Sequence, residues 1–269
     1  MEKISSLHSP HIGRVKALLG SRGKKNRELE NAFIAEGIQT VREALAPKLI
    51  EGLKVKQLFL TNAGLAKISS EIDLIDLSNI EIFEVTDQVM TEMADSESPQ
   101  GILALCSSKS LKVSDLWEMN PKKIAYFWQI QDPGNAGTVI RTADACGFDA
   151  VIFSDNSVDI FNPKTIRATV GSLWHIPVIA DAEINDFIKQ SEEHDFQSFS
   201  LTGHGDLTLN NEFIANCGDK NLWIFGNEAR GLPELPDSVH SVRIPMKGYA
   251  ESLNVASAAA IVMHLTGIN

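Results

Sequence analysis

Residues 124–146 read IAYFWQIQDPGNAGTVIRTADAC, and this stretch is the strongest indication of the fold class. Its opening part, residues 124–130, is an apolar, aromatic run that predicts a buried strand, and residues 138–146 predict a helix. The apolar side of that helix consists of Val139, Ile140, Ala143 and Cys146. A strand, a short polar loop and a helix in direct succession are the unit from which parallel α/β sheets are built.

The same pattern continues through the second half of the chain. Further short strands are predicted at residues 150–153, 176–180, 197–201, 222–225 and 242–245, with helical stretches between them. Continuous apolar strands that alternate with helices indicate a mainly parallel sheet covered on both faces. Ligands of such sheets bind beyond the carboxyl ends of the strands, so the loops after the strands are where a site is expected.

The first half of the chain predicts a second, smaller α/β module. Runs that predict strands lie at residues 32–36, 55–60, 80–85 and 101–106, and helices are predicted at residues 11–19 and 37–46. The polar run at residues 21–27 has no apolar periodicity and predicts a loop. Residues 107–110 are small and polar, which is typical of a linker. The sequence therefore predicts two domains, residues 1–106 and residues 113–269.

Length and composition describe an ordinary folded protein. Of the 269 residues, 43% are hydrophobic and 22% are charged, and no stretch approaches the ~20 consecutive apolar residues of a membrane span. The first residues lack the apolar core of a signal peptide, so a cytoplasmic protein is expected. Cys106, Cys146 and Cys217 are widely spaced and are expected to be reduced, buried, small apolar residues rather than metal ligands or catalytic thiols.

The charge of the amino-terminal segment, residues 1–27, allows two interpretations. The net charge is -11, but nearly all of the excess acid lies after residue 112. Residues 1–27 instead carry seven Lys and Arg residues against one acid, Glu2. Such a segment can bind a polyanion even when the whole chain is acidic, or it can be a solvated terminus.

Residues 131–137 form the first loop in which chemistry is expected. The two glycines allow close approach of the backbone, Asn135 can present an amide, and the start of the following helix favours an anion. Arg141 lies away from the apolar side of that helix. The loop could equally be a tight turn with a solvated Arg. It matches neither the dinucleotide fingerprint nor the Walker loop.

Two further loops follow predicted strands. Residues 226–233 place a carboxylate and a guanidinium, Glu228 and Arg230, between two glycines, although an ordinary surface turn could have this composition. Residues 244–257 lead from a strand into a helix, for which Ser252 is a plausible cap. Small residues after that cap permit close helix packing.

These three loops, in this order and spacing, resemble the three motifs of the SpoU (TrmH-like) family of RNA ribose methyltransferases. The matching residues are Asn135 and Arg141 in the first, Gly226, Asn227, Glu228 and Gly231 in the second, and Ser252, Leu253 and Asn254 in the third. Residues 162–171 resemble the family's helix between the first two motifs. Residues 33–37 and 98–102 resemble its amino-terminal RNA-binding module, which is similar to the ribosomal-protein L30e fold.

The resemblance implies an α/β fold with an L30e-like domain followed by a knotted domain of the SPOUT type. Topology rules alone predict an open sheet, since they treat knots as essentially absent, and on this point the resemblance overrides them. It further implies that S-adenosylmethionine is the cofactor, that RNA is the partner, and that the protein is a homodimer through its second domain. No metal is implied.

Site residues are also implied by the resemblance. The catalytic set is Arg141, Asn135, Glu228, Ser252 and Asn254. The cofactor set is Phe225, Gly226, Asn227, Gly231, Ile244, Met246, Ser252 and Leu253. The resemblance together with the local charge gives the RNA-binding set Arg14, Arg22, Lys24, Lys25, Arg27 and Arg167.

The expected reaction is methyl transfer to a ribose 2′-hydroxyl of ribosomal or transfer RNA, with ribosomal RNA slightly favoured. In the family, the arginine that matches Arg141 is proposed to act on the 2′-hydroxyl. A guanidinium is a poor base, so orientation of hydroxyl and phosphate is at least equally compatible with the chemistry. Two alternatives are an RNA-binding protein that has lost the chemistry and a knotted enzyme that methylates a base.

Overall fold

The computed structural model describes residues 2–20, 22–46, 50, 52–72, 77–109 and 111–267, and they form two compact units. The first unit contains residues 1–109 together with residues 159–175, and the second contains residues 110–158 and 176–269. The sequence range 113–269 counts residues 159–175 with the second domain, whereas their packing places them in the first unit. The first boundary between the two units lies between residues 109 and 110, inside the predicted linker at residues 107–110.

The strands are β1 (Glu2–Ile4), β2 (Ala32–Glu36), β3 (Val55–Leu60), β4 (Glu81–Val85), β5 (Ile102–Ser107), β6 (Lys123–Phe127), β7 (Ala150–Phe153), β8 (Val178–Ile179), β9 (Gln197–Leu201), β10 (Leu207–Thr208), β11 (Asn221–Phe225) and β12 (His240–Arg243). The helices are α1 (Pro10–Leu19), α2 (Gly23–Glu30), α3 (Ile38–Leu45), α4 (Asn62–Ile72), α5 (Asp87–Met93), α6 (Val113–Glu118), α7 (Pro133–Ala145), α8 (Pro163–Thr169), α9 (Ile184–Glu193), α10 (Asn211–Asn216) and α11 (Val255–Gly267). The predicted strands and helices are therefore present, most of them within two residues of their predicted bounds.

The first unit is built on a five-stranded mixed sheet in the order β1-β4-β3-β5-β2. β5 runs antiparallel to both of its neighbours, and the remaining pairs are parallel. α8 packs against β2 in this unit, and Phe161, just before α8, stacks on Phe33 of β2 with ring centroids 4.7 Å apart. Trp174 contacts the same Phe33 ring and is fully buried. Residues 159–175 thus contribute aromatic side chains to the core of the first unit.

The second unit is built on a seven-stranded sheet in the order β10-β12-β9-β11-β6-β7-β8, and every pair in it is parallel. This confirms the predicted parallel sheet. All five residues of β11 are buried. Successive side chains of a strand point to opposite faces, so both faces of the sheet must be covered here. Leu222 and Ile224 lie in the cluster shared with α6 and α9, which identifies one of the two covers.

Three local predictions are wrong, each for a physical reason. The predicted loop at residues 21–27 is largely α2, which is held by the buried side chain of Arg27 rather than by an apolar stripe. α7 begins at Pro133, five residues before the predicted start, because Asp132 caps it and Pro133 suits the first helical position. β6 ends at Phe127 instead of residue 130, since Gln129 has a positive φ of 49° and leaves the extended conformation.

Within the described residues, no helix is both long enough and apolar enough to cross a membrane.

Candidate active site

The first two motif loops leave the same edge of the second sheet. β6 and β11 are parallel neighbours, with Phe127 opposite Phe225, so both strands end at the same level. The Trp128 N–H then donates to the Phe225 carbonyl at 2.9 Å. The Asn227 side-chain amide donates to the Gln129 carbonyl at 2.8 Å. The two loops are therefore fastened together directly beyond the strands.

Asn135 is the residue at which all three motifs meet. Its Nδ2 donates to Glu228 Oε1 in the second motif at 2.6 Å. Its Oδ1 accepts from Asn254 Nδ2 in the third motif at 3.3 Å. Both ends of the Asn135 amide are engaged, which fixes the orientation of the side chain. The structure thus brings together three of the five predicted catalytic residues.

The backbone around Asn135 and Asn254 is fixed by helix caps. Asp132 Oδ1 accepts from the Asn135 N–H at 2.8 Å at the start of α7. Asn254 Oδ1 accepts from the Ala256 N–H at 2.9 Å at the start of α11. The predicted cap at Ser252 is therefore wrong, because Asn254 performs that role. Ser252 itself lies two residues earlier and is exposed.

The second loop closes into a small turn around Asn227. The Asn227 N–H donates to the Gly231 carbonyl at 3.0 Å, and the Gly231 N–H donates back at 2.9 Å. Asn227 Oδ1 accepts from the N–H groups of Ala229 and Arg230. A Cβ at Gly226 would lie 2.7 Å from the carbonyl carbon of Gly231, so only glycine fits there. Glu228 is exposed at the tip of this turn, apart from its bond to Asn135.

Arg141 is exposed on α7, whereas Val139 and Ile140 on the same helix are buried. The guanidinium therefore faces away from the core, as predicted. A guanidinium offers five N–H donors in a planar fork and no acceptor. Its chemistry suits binding and orienting oxygen atoms, phosphate oxygens in particular.

The predicted cofactor residues differ in how much of their side chain is exposed. Phe225 is buried and its ring stacks on Phe127 at 4.8 Å, so only its backbone is available to a ligand. Met246 and Leu253 leave 40% and 38% of their surface exposed, and Ile244 is half-buried. A cleft of about 570 Å³ adjoins the second loop and is lined by residues that follow Gly231 and by the ends of β9 and β12. None of the predicted cofactor residues lines that cleft.

Two supporting residues were not identified from the sequence. Asp132 could have been, because Asp-Pro ahead of an amphipathic stretch is a helix-start signal. Gln129 carries no comparable signal. Its carbonyl accepts from Asn227, its Oε1 accepts from Arg230 Nη1 at 3.2 Å, and its N–H donates to Ser154 Oγ at 2.7 Å. Gln129 thus connects the first loop to the second through both its backbone and its side chain.

The predicted RNA-binding residues fall into two groups within the first unit. Arg22, Lys24 and Lys25 are exposed at and near the start of α2. The others are engaged with acids: Arg14 with Glu30 at 2.7 Å, Arg27 with Asp159 at 2.6 Å, and Arg167 with Asp95 at 2.7 Å. Arg27 is also buried, so its side chain is not available to RNA in this conformation.

The three cysteines lie outside the three motif loops. Burial raises the pKa of the thiols of Cys106, Cys146 and Cys217, which keeps them protonated. Cys106 and Cys217 are buried as expected, whereas Cys146 is only half-buried. Among the described residues, no three His, Cys, Asp or Glu side chains are grouped so that they could hold a metal ion.

Comparison with known proteins extends the resemblance to most of the chain. The model of the SpoU rRNA Methylase family matches residues 122–264, and the model of the MRM3-like substrate binding domain matches residues 13–104. The 23S rRNA (guanosine(2553)-2′-O)-methyltransferase RlmP of Bacillus subtilis (strain 168) is 32% identical over 250 residues, which are 91% of this chain and 92% of the relative.

Two further relatives agree with this match. The 23S rRNA (uridine(2479)-2′-O)-methyltransferase of Streptomyces viridochromogenes is 27% identical over 92% of this chain and 86% of its own length. The crystal structure of an AdoMet-bound rRNA methyltransferase from Sinorhizobium meliloti superimposes with a TM-score of 0.79 at 26% identity, covering 98% of this chain and 97% of that one. With these matches and three motif loops that meet at Asn135, the chain belongs to the SpoU rRNA methylase family.

Proposed function

We propose that this protein transfers a methyl group from S-adenosylmethionine to a ribose 2′-hydroxyl of ribosomal RNA. The observation that carries the proposal is the hydrogen-bonded line from Glu228 through Asn135 to Asn254, which joins the three motif loops. The relatives from Bacillus subtilis and Streptomyces viridochromogenes are 23S rRNA 2′-O-methyltransferases, which supports ribosomal RNA over transfer RNA.

The residues at the sheet edge fit a cofactor with an apolar and a polar part. Met246 and Leu253 offer exposed apolar surface for a flat ring, and Gly226 and Gly231 keep side chains out of the way of a close backbone contact. With Phe225, Asn227, Ile244 and Ser252, these residues would hold S-adenosylmethionine. When bound, the cofactor supplies a methyl group on a sulfonium centre.

The chain's own contribution is to position the 2′-hydroxyl and to stabilise the negative charge that develops on its oxygen. Arg141 can bind the hydroxyl oxygen and a neighbouring phosphate with separate N–H donors, and it has no lone pair with which to take the proton. Asn135 cannot move freely, because Glu228 and Asn254 hold both ends of its amide. Ser252 is exposed beside Leu253 and is available to a bound ligand. Hydrogen-bond donors of this kind act by orientation rather than by proton abstraction.

We assign RNA capture to the domain at residues 1–106 and methyl transfer to the domain at residues 113–269. The two family models fall within these ranges. The exposed residues Arg22, Lys24 and Lys25 are the ones proposed to contact RNA. Arg14, Arg27 and Arg167 would first have to leave their acidic partners. A cytoplasmic location accords with an RNA substrate.

Two finer features of the second domain are also proposals. The first is a trefoil knot, supported by family membership and by the packing of α11 against α7, which brings the end of the chain beside the first motif helix. The second is a homodimer through this domain. Ala256, Ala258 and Ala259 do not supply its surface, because they are buried within the chain. Sedimentation at micromolar protein tests the dimer, and a crystal structure that traces residues 221–267 tests the knot.

Labelled methyl transfer to unmodified ribosomal RNA, followed by nucleoside analysis, tests the proposed reaction. A 2′-O-methylated nucleoside is the expected product. A methylated base would identify a base methyltransferase instead. If the protein binds both S-adenosylmethionine and the RNA but transfers no methyl group, it is a catalytically silent RNA-binding protein. Transfer RNA assayed in parallel decides between the two classes of RNA.

A further inference from the structure

Residues 154–158 are fastened to the first motif loop within the second unit. The Val158 N–H donates to the Ile130 carbonyl at 2.8 Å. The Asn156 carbonyl accepts from Gln131 Nε2 at 2.6 Å. Ile130 and Gln131 directly precede Asp132, the cap of α7. Both bonds therefore anchor the segment that leads into the first turn of α7, where Asn135 lies. A shift of residues 156–158 would be passed to the start of α7.

Asp159 follows Val158 directly and is held from several sides within the first unit. Its Oδ2 accepts from Arg27 Nε at 3.0 Å and from Arg27 Nη2 at 2.6 Å. Its Oδ1 accepts from the Phe161 N–H at 2.8 Å, and its carbonyl accepts from the Asn162 N–H at 3.0 Å. The side chains of Arg27 and Asp159 are only 7% and 14% exposed. Arg27 therefore supplies two of the hydrogen bonds that hold the Asp159 carboxylate in place.

Arg27 is in turn fixed to α2, the helix that presents Lys24 and Lys25. Its Nη1 also donates to the Leu18 carbonyl at the end of α1. A Cβ at Gly23 would lie 2.4 Å from that same Nη1, so glycine leaves the space in which the guanidinium lies. Arg27 therefore joins α2, with its exposed Lys24 and Lys25, to Asp159.

On the basis of the function proposed above, we propose that Arg27 and Asp159 are positioning residues for methyl transfer. RNA held by Lys24 and Lys25 sets the position of α2, the buried pair transmits it to Asp159, and residues 156–158 transmit it to the loop before Asn135. The path crosses from one unit to the other only through the peptide bond between Val158 and Asp159. A fork of two hydrogen bonds is directional, which makes this pair more suitable for positioning than a single exposed contact.

The test replaces the pair without leaving a lone buried charge. In Arg27→Met combined with Asp159→Leu, apolar side chains fill the same space, and such replacements of buried ion pairs are often neutral for stability. Single-turnover methyl transfer to unmodified 23S ribosomal RNA transcribed in vitro is expected to slow about tenfold or more, because small misplacements of reacting groups are costly. The affinities for S-adenosylmethionine and for the transcript are expected to stay within about twofold of wild type, because the paired side chains of Arg27 and Asp159 are buried and the exposed Lys24 and Lys25 are unchanged.

A second measurement does not depend on activity. Hydrogen exchange of the amides at residues 130–137 is expected to be faster in the double variant than in wild type, because their anchor through residues 156–158 is loosened. The matched control is Lys16→Met combined with Glu92→Leu, an exposed pair in the same unit, which should change neither rate.

The outcomes separate this proposal from the proposed function. A folded double variant with wild-type transfer and wild-type exchange overturns the positioning role, and so does a loss confined to RNA affinity. If wild type does not methylate the transcript, the proposed function fails, and the exchange experiment alone decides the positioning role. If the double variant does not fold, Arg27→Lys keeps the charge but loses the fork. The same slowing and faster exchange are then expected, and wild-type values overturn the proposal.

Discussion

In the first unit, Lys3, Arg14 and Lys16 each pair with an acid on a neighbouring strand or helix, whereas in the second unit the polar side chains beyond β6 and β11 bond mainly to amides and carbonyls. The first arrangement neutralises charge over a surface. The arrangement in the second unit brings neutral and charged side chains together at one edge of the sheet.

The position of these side chains in the two units accounts for the difference. In the all-parallel sheet, the carboxyl ends of β6 and β11 lie side by side, so residues 93 positions apart, Asn135 and Glu228, can bond. In the first unit, Lys3 lies within β1, and Arg14 and Lys16 lie within α1, so these cations are spread along elements instead of meeting beyond strand ends. A count of basic residues in the sequence therefore overstates the free positive charge, while the site residues are brought together by topology.

The largest effect is expected at the sheet edge of the second unit. Arg141→Ala should lower methyl transfer by about 10²-fold or more, because removal of one donor that stabilises the developing charge commonly has that effect. The fold and the affinity for S-adenosylmethionine should be unchanged, since Arg141 is exposed and lies outside the predicted cofactor set. Single-turnover assays and calorimetry check this. Lys189→Ala, an exposed cation on α9, is the matched control and should be silent. Near-normal transfer by the Arg141 variant would remove it from the mechanism.

The next effect compares a buried with an exposed ion pair inside the first unit. Asp159→Asn should reduce the free energy of unfolding by about 3–5 kcal/mol, because it leaves the Arg27 guanidinium buried without its countercharge. Lys3→Ala breaks an exposed pair with Glu84 and should cost only about 0.2–1 kcal/mol. Urea unfolding measures both. Equal losses would mean that burial does not distinguish the two pairs.

A smaller effect concerns the cations that remain exposed. Lys24→Ala together with Lys25→Ala should lower the slope of log affinity for RNA against log salt by about 1–2, because each phosphate contact releases counterions. Arg14→Ala, which removes a cation already paired with Glu30, should change the slope less. Filter binding to unmodified 23S ribosomal RNA at several salt concentrations measures this. An unaltered slope in the double variant would exclude these two lysines from RNA contact.

The smallest effect is a pH-dependent helix cap in the second unit. The N–H of Asp186 donates to Glu183 at 2.7 Å, and this bond is the main cause that lowers the pKa of the Glu183 carboxyl. A carboxyl whose pKa is lowered by folding stabilises the fold above its unfolded pKa and loses that contribution as pH falls through the folded value. Glu183→Ala should therefore cost about 0.5–1 kcal/mol near neutral pH and less in acid. Thermal unfolding at a series of pH values checks the sign. A cost that grows in acid would contradict it.

Much of the second unit could be predicted because its signals are local. The apolar run of β7 has the predicted bounds, since buried parallel strands consist of continuous hydrophobic residues. The start of α7 was misplaced although Asp132 and Pro133 carry a start signal, because the glycines after them weaken the helical pattern. α2 could not be predicted from periodicity, since an ion pair and a glycine, not an apolar stripe, hold it in place.

The sequence by itself determined the α/β class, the two modules and the three motif loops, because hydrophobic period and loop composition are properties of neighbouring residues. Tertiary structure alone decided that Asn135 lies between Glu228 and Asn254, that Asn254 rather than Ser252 caps α11, and that residues 159–175 pack with the first unit. It also decided that Arg27 is buried while Lys24 is exposed. These facts depend on which distant elements become neighbours, and a linear pattern of hydrophobic and charged residues does not encode the partner of a particular side chain.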